Sequence, residues 1–222
     1  MGFSRGPKIV TDDLVLYLDA ANRKSYPGTG TSWSDLSGNG NTGTLTNGPT
    51  FDSDNGGSIV FDGSNDSVNT ALSGTISDVS VVCWYKGTKT ARNHLWNFGT
   101  STTTNLNFNF NDTYDLWVYW EGSGSNRVRY NIDGSFTDST IKCAVFTHTG
   151  TTNKVYLNGA ELTITESGGT QSFSAVNSTG SFRLGDVQYF AGNIYNAAVY
   201  NRALSAQEVL QNYNALKGRF GL

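Results

Sequence analysis

Residues 105–111 read Asn105-Leu106-Asn107-Phe108-Asn109-Phe110-Asn111, a strict alternation of asparagine with an apolar residue. Because successive side chains of a β-strand point to opposite faces, this alternation predicts a strand with one apolar face and one polar face. The next run, Asp115-Leu116-Trp117-Val118-Tyr119-Trp120, carries bulky residues on both faces and predicts a second strand. Strand-like runs separated by turn residues recur at roughly 8–12-residue spacing, which predicts an all-β sandwich.

The composition agrees with a single all-β domain. The chain has 222 residues, of which 26 are glycine and 3 are proline, and 13% of the residues are aromatic. A β-sandwich of roughly 200–250 residues commonly forms one domain. The net charge of −3, without a run of Lys or Arg, argues against a nucleic-acid partner. A membrane partner is not expected, because no apolar stretch approaches the roughly 20 residues that span a bilayer.

Several elements can be placed along the chain. Leu14-Val15-Leu16-Tyr17-Leu18-Asp19 predicts a first buried strand, and a long loop over residues 20–47 follows, anchored by Trp33. Asp62-Gly63-Ser64-Asn65-Asp66 predicts a tight turn. Asn158-Gly159 predicts a hairpin turn, because these two residues accept the left-handed backbone of a two-residue loop.

One helix is predicted near the end of the chain, over residues 206–217. Ser205 precedes it and Glu208 follows three residues later, which is the pattern of a capping box. An apolar face repeats at helical spacing at Val209, Tyr213 and Leu216. Gly218 is expected to end the helix in the left-handed conformation.

The two cysteines, Cys83 and Cys143, lie inside apolar strand-like runs. The N-terminal segment has no apolar core of a secretory signal, so folding in a reducing cytosol is expected. Buried, unpaired thiols are therefore the prediction, although an even number of cysteines also permits one disulfide.

Several motifs, in order along the chain, resemble the laminin-G-like group of concanavalin A-like domains. They include Trp33-Ser34-Asp35-Leu36-Ser37-Gly38-Asn39-Gly40-Asn41, Ile59-Val60-Phe61-Asp62-Gly63, Val155-Tyr156-Leu157-Asn158-Gly159 and Phe190-Ala191-Gly192-Asn193-Ile194. The resemblance begins at about Val10 and covers nearly the whole remaining chain. It implies a two-sheet antiparallel jelly-roll β-sandwich over residues 10–222, with one short C-terminal helix over 205–217.

A second resemblance concerns the two ends of the chain. The opening through Asn47 and the ending Asn212-Tyr213-Asn214-Ala215-Leu216-Lys217-Gly218-Arg219-Phe220-Gly221-Leu222 are similar to freestanding laminin-G-like proteins of tailed bacteriophages. It implies a virion structural protein assembled in the host cytoplasm. The expected role is capsid decoration, as a homo-oligomer docked through its termini on other virion proteins such as the major capsid protein. Residues 1–9 are expected to form a flexible N-terminal arm, which either docks on the particle or is a plain tail.

An enzymatic role is not expected. Glucanases that share this fold use carboxylates in a Glu-x-Asp-x-x-Glu run, and none of the four glutamates, Glu121, Glu161, Glu166 and Glu208, lies in such a run. In one regular strand Glu161 and Glu166 would face opposite ways. A nucleophilic triad needs a histidine base, and the two histidines, His94 and His148, both lie in strand patterns typical of structural residues.

No cofactor is expected. The resembling family often binds calcium, and Asp62 and Asp66 flank one loop, but calcium requires six to eight oxygen ligands. Asp and Asn also stabilise turns by binding their own backbone, so a turn-forming role is the prediction.

The alternating strand and its neighbour offer one candidate binding surface, which would take carbohydrate. Asn105, Asn107 and Asn109 share the polar face of the first strand, and Trp117 and Tyr119 share a face of the second. Sugars bind to aromatic faces flanked by planar amides. A carbohydrate-binding adhesin that attaches to host-surface glycans is therefore the alternative to the virion role. The other interpretation of these residues is a polar outer face beside a second core layer, because aromatic pairs across strands stabilise a sheet by themselves.

Overall fold

The computed structural model describes residues 7–87, 93–99, 105–110, 116–121, 127–132, 139–150, 152–166, 176–186 and 189–222. Within these ranges the strands are β1 Leu14–Asp19, β2 Ser32–Trp33, β3 Gly43–Thr46, β4 Thr50–Asp52, β5 Ser58–Asp62, β6 Ser67–Ile76, β7 Val79–Gly87, β8 Asn93–Phe98, β9 Asn105–Phe110, β10 Leu116–Glu121, β11 Arg127–Ile132, β12 Lys142–Thr149, β13 Thr152–Leu157, β14 Ala160–Leu162, β15 Thr165–Glu166, β16 Val176–Leu184 and β17 Ala191–Tyr200. One α-helix, α1, spans Ala206–Leu216, and 3₁₀ turns span Asp54–Gly56 and Lys217–Phe220.

The strands form two sheets. The eight-stranded sheet has the order β14-β13-β12-β7-β17-β5-β4, with β1 also paired to β17. β17 can pair with both because its first half lies beside β5 and its second half beside β1. The nine-stranded sheet has the order β15-β11-β10-β9-β8-β16-β6-β3-β2. Every strand pair among the described residues is antiparallel, which confirms the predicted two-sheet sandwich with one short C-terminal helix.

The main core fills the space between the sheets and is rich in aromatic rings. Trp96 on β8 is fully buried and stacks on Phe108 of β9 at 5.6 Å between ring centroids. Its ring also lies near Phe146 of the eight-stranded sheet, at 6.0 Å, which ties the two sheets together. Aromatic pairs at these distances stabilise a core beyond the area they bury.

A second apolar cluster lies on the outer face of the eight-stranded sheet, beneath α1 and the 3₁₀ turn that follows it. Trp84 of β7 stacks on Tyr213 at 5.5 Å with an interplanar angle of 2°, and on Phe220 at 4.7 Å. The helix therefore covers the outer face of the eight-stranded sheet and, within the described residues, does not pack on the nine-stranded sheet.

The cysteines are buried and free, as predicted. Cys83 belongs to the core between the sheets, whereas Cys143 belongs to the cluster beneath the helix. They lie on opposite faces of the same sheet, so their side chains point apart and cannot form a disulfide without movement of the backbone.

The predicted capping box of α1 is present. The backbone N–H of Glu208 donates to Ser205 Oγ at 3.3 Å, and the Ser205 N–H donates to Glu208 Oε2 at 2.9 Å. The expected end at Gly218 is wrong: Gly218 lies within the 3₁₀ turn, and the left-handed residue is Gly221, with φ 71°. The chain tightens from α-helix into 3₁₀ geometry because Phe220 packs on Trp84, which holds the extra turn against the sheet.

One other local expectation needs correction. The loop over residues 20–47 contains two short strands, β2 and β3, because β3 pairs with β6 far along the chain. The turn predicted over residues 62–66 is present. It carries the chain from β5 in one sheet to β6 in the other.

The described part of the N-terminal segment is tied to the helix. The Val10 N–H donates to Asn212 Oδ1 at 2.7 Å, and Gln211 Nε2 donates to the Lys8 carbonyl at 2.9 Å. The remaining part of the expected arm, residues 1–6, lies outside the described residues, so its flexibility stays a prediction.

Candidate functional site

The five residues predicted to form a binding surface come together on adjacent strands of the nine-stranded sheet. In the ladder between β9 and β10, Asn107 lies opposite Tyr119 and Asn109 lies opposite Trp117. Residues directly opposite each other in an antiparallel pair share a face, and Asn105 joins them by the alternation of the strand. The same ladder pairs Phe108 with Val118 on the inner face, where Phe108 is part of the core.

The polar face extends over further strands that the sequence analysis did not include. Asn107 also pairs with Asn97 on β8, and Asn97 pairs with Arg183 on β16. In the other direction, Tyr119 pairs with Arg129 on β11. Five neighbouring strands at about 4.8 Å spacing place this row over roughly 19 Å. We refer to this row, together with Asn105, Asn109 and Trp117, as the amide face.

The sequence carries a signal for one of these additional residues, Arg129, but not for Asn97. The run Arg127-Val128-Arg129-Tyr130-Asn131-Ile132 alternates like β9, so its polar positions could have been assigned to one face. Asn97 gave no such signal, because the pairing register of β8 shifts between His94 and Trp96. As a result Leu95 and Trp96, although adjacent, both lie in the core, which breaks the alternation.

The amides whose side chains the structure describes are buried. Asn97, Asn107 and Asn109 are 1%, 4% and 3% exposed, so this part of the face is closed rather than an open platform. Asn109 Nδ2 donates to Asn107 Oδ1 at 2.5 Å. The Oδ1 atoms of Asn97 and Asn109 are buried without a hydrogen-bond partner in the described structure. A buried carbonyl without a donor costs roughly 1–3 kcal/mol, so a hydrogen bond donated to either Oδ1 atom would be favourable.

Arginine positions lie at both ends of the row. Arg183 Nη1 donates to the carboxylate of Asp186, and the two side chains are 27% and 19% exposed. Arg129 occupies the other end of the row, on β11. Amide groups between such positions suit a ligand that is rich in hydroxyl groups.

The acidic turn considered for calcium uses its carboxylates within the protein. Asp66 Oδ2 accepts the Asp62 N–H at 2.9 Å, and Asp62 Oδ1 accepts the Ser64 N–H at 2.7 Å. Burial raises the pKa of Asp66, although the bond from the Asp62 N–H lowers it. Within the described ranges, no group of three or more His, Cys, Asp or Glu side chains is placed to hold a metal. The absence of a calcium site stays a prediction.

The residues considered for catalysis are dispersed. Glu161 lies in the eight-stranded sheet and Glu166 in the other, so the expectation that treated them as one strand is corrected. The chain leaves the eight-stranded sheet at the end of β14, Leu162, and enters the nine-stranded sheet at the start of β15, Thr165. Glu208 is ion-paired with Arg202 at 2.7 Å, and the bonds from Arg202 lower its pKa to about 2. His148 is buried with Nδ1 2.9 Å from Asn153 Oδ1, and burial lowers its pKa.

The chain belongs to the concanavalin A-like lectin/glucanases superfamily, whose family model matches residues 62–210. This match covers more than half of the chain and agrees with the jelly-roll sandwich described above. No curated protein matches the sequence. In the described part of the chain, no helix has the length and apolar character needed to cross a membrane.

Solved structures show the same fold at low sequence identity. Domain 4 of AbnA, a GH43 extracellular arabinanase from Geobacillus stearothermophilus, in complex with arabinotriose, matches with a TM-score of 0.71 and 19% identity, over 90% of this chain and 98% of that one. The binding domain of Paraclostridial Mosquitocidal Protein 1 matches with a TM-score of 0.71 and 15% identity, over 92% and 52%. Trypanosoma rangeli sialidase in complex with the inhibitor DANA matches with a TM-score of 0.63 and 13% identity, over 90% and 32%. This chain thus spans about half of the second structure and a third of the third.

Proposed function

We propose that this protein is a non-catalytic carbohydrate-binding domain that binds a glycan on the amide face. The observation that carries the proposal is the row across five strands of the nine-stranded sheet, in which one aromatic and two amide positions lie between two arginine positions. The fold supports it, because a domain of the same fold and nearly the same extent has been solved in complex with arabinotriose.

The chemistry of the face suits sugar hydroxyl groups. Each hydroxyl can donate one hydrogen bond, and the Oδ1 atoms of Asn97 and Asn109 are acceptors without a donor in the described structure. The positions of Trp117 and Tyr119 lie opposite Asn109 and Asn107 in the same ladder, and aromatic residues there are the proposed contacts for sugar rings. A row of roughly 19 Å is long enough for several linked sugar rings.

Access to the buried amides requires a movement on binding. Because Asn97 and Asn109 are nearly inaccessible to solvent, a sugar reaches their Oδ1 atoms only after the groups above them shift. Such a shift lowers the apparent affinity, since only the open fraction of molecules binds. We therefore expect modest affinity for a single oligosaccharide.

The test is a glycan array followed by calorimetric titration with the best ligand and with arabinotriose. In the variant Asn97→Leu, the affinity is expected to fall about three- to tenfold, because one hydrogen bond to the ligand is lost. The stability of the free protein should be unchanged or higher, because an unsatisfied buried acceptor is removed.

The matched control is Asn193→Leu on the opposite sheet. There Asn193 Nδ2 donates to Ser58 Oγ at 3.0 Å, so this change should lower stability and leave glycan affinity unchanged. The proposal is refuted if no glycan binds, or if Asn97→Leu destabilises the protein while the affinity stays the same.

The virion role stays a prediction, together with the homo-oligomer and the capsid partner, since neither the family model nor the structures described above bear on it. Imaging of purified particles that contain this chain is the test, and location on the head lattice is the expected result. The lack of catalysis also stays a prediction. It is contradicted if the protein hydrolyses arabinan or a β-glucan and one carboxylate substitution abolishes the hydrolysis.

A further inference from the structure

A second cleft lies apart from the amide face, where the end of β1 and the following loop meet β4 and the 3₁₀ turn at Asp54–Gly56. Its volume is about 170 Å³, and it is lined by Ala20, Ala21, Arg23, Tyr26, Pro27, Gly28, Phe51, Ser53 and Gly56. Because β4 is the edge strand of the eight-stranded sheet, this cleft is separate from the nine-stranded sheet that carries the amide face.

The walls of the cleft are held in place by hydrogen bonds. Tyr26 Oη donates to the Gly30 carbonyl at 2.7 Å, and Arg23 Nη1 donates to the Pro27 carbonyl at 3.1 Å. Next to Gly56 and behind the opposite wall, Arg219 Nε donates to the Asn55 carbonyl at 2.6 Å, and its Nη1 donates to Asp19 Oδ1 at 2.8 Å. A cleft ordered in this way loses little conformational entropy when a ligand enters.

The lining combines an aromatic surface with polar groups at the rim. The rings of Tyr26 and Phe51 lie 5.5 Å apart, and Tyr26 is buried whereas Phe51 is half-buried. Phe51 therefore supplies the accessible ring surface. Arg23 and Ser53 are exposed and bring hydrogen-bonding groups to the rim, and Pro27 adds an exposed apolar wall.

We propose that this cleft is a second carbohydrate subsite that takes one sugar ring on Phe51, with hydroxyl groups bound by Arg23 and Ser53. The choice of ligand class rests on the proposed function. Two separated sites on one domain raise the avidity for a glycan surface without further contacts.

The test is a two-dimensional amide NMR titration of the full chain with methyl β-D-galactopyranoside and methyl α-L-arabinofuranoside at millimolar concentration. The amide signals of Gly28 and Gly56 are expected to shift. Phe51→Leu, which keeps an apolar group but removes the ring, is expected to weaken this binding about three- to tenfold. Ala21→Phe, whose ring fills the cleft, is expected to abolish glycoside binding there. This variant replaces Phe51→Leu in the test if Phe51→Leu does not fold.

The control is Tyr189→Leu, which removes an exposed aromatic residue elsewhere and should leave the titration unchanged. If both glycosides leave Gly28 and Gly56 unshifted, or if Ala21→Phe binds like the wild type, the cleft proposal is refuted. Shifts at Asn97 and Asn109 alone would refute the cleft and support the amide face. Shifts at the cleft alone, unaffected by Asn97→Leu, would support the cleft and refute the amide face as the binding site.

Discussion

Substituting Asn212 by leucine tests how the N-terminal segment is fastened to the sandwich. Asn212 is 2% exposed and joins α1 to the N-terminal segment and to β17. Its Oδ1 accepts the Val10 N–H at 2.7 Å, and its Nδ2 donates to Tyr200 Oη at 3.1 Å. Tyr200 Oη in turn donates to the Val10 carbonyl at 2.9 Å. Asn212→Leu keeps a side chain of similar size but removes the first two bonds.

The cost follows from the groups that lose their partners. A buried backbone N–H left without an acceptor costs roughly 1–3 kcal/mol, and the bond to Tyr200 contributes about 0.5–1.5 kcal/mol. The higher helix propensity of leucine returns a few tenths of a kcal/mol. We therefore expect Asn212→Leu to lower the free energy of unfolding by about 2 kcal/mol, which corresponds to a melting temperature lower by roughly 4–8 °C.

Urea unfolding followed by tryptophan fluorescence measures this change, and an unchanged m value would show that the unfolded state is the same. The matched control is Asn214→Leu, the same substitution at a half-buried position of the same helix. It is expected to change stability by less than about 0.5 kcal/mol. Equal stability of the two variants would refute the assignment of a fastening role to Asn212.

Three further predictions concern thiols, pH and a helix end. Cys83 and Cys143 should resist a thiol reagent in the native protein, because burial raises the pKa of both, and both should react after denaturation without reductant; a protein with no reactive thiols would contradict this. Glu208→Gln should lower the unfolding free energy by about 1 kcal/mol at pH 7, and the exposed Glu161→Gln much less. Since the pKa of Glu208 falls from 4.5 to about 2 on folding, its contribution is complete above pH 4.5 and is lost as the pH falls towards 2, where denaturation curves of variant and wild type should converge. Gly218→Ala should stabilise the protein by about 0.4–1 kcal/mol in the same urea assay, because the φ of Gly218 is not left-handed and the space around it is open; a loss of stability would show that the glycine is required.

Local patterns in the sequence determined much of this fold. The alternation in residues 105–110 assigns Phe108 to the core and Asn107 to the other face, because the two-residue period of a strand depends only on backbone geometry. The capping box at Ser205 and the hairpin at Asn158-Gly159 were also predictable from the sequence, because the residues that complete each of them lie close together in the chain. Both residues of that hairpin have the expected positive φ, 52° and 83°.

Only the tertiary structure decided which strands become neighbours and how far each face is buried. The pairing of Asn97 with Asn107 follows a register shift in β8, and the pairing of Asn97 with Arg183 joins segments far apart in sequence. Burial of Asn97, Asn107 and Asn109 could not be predicted, because alternation assigns a side chain to a face but does not determine what lies over that face. The Phe51 cleft has the same origin: its two walls are brought together by Arg219, whose contacts with Asp19 and Asn55 span most of the chain, and no local pattern encodes such long-range contacts.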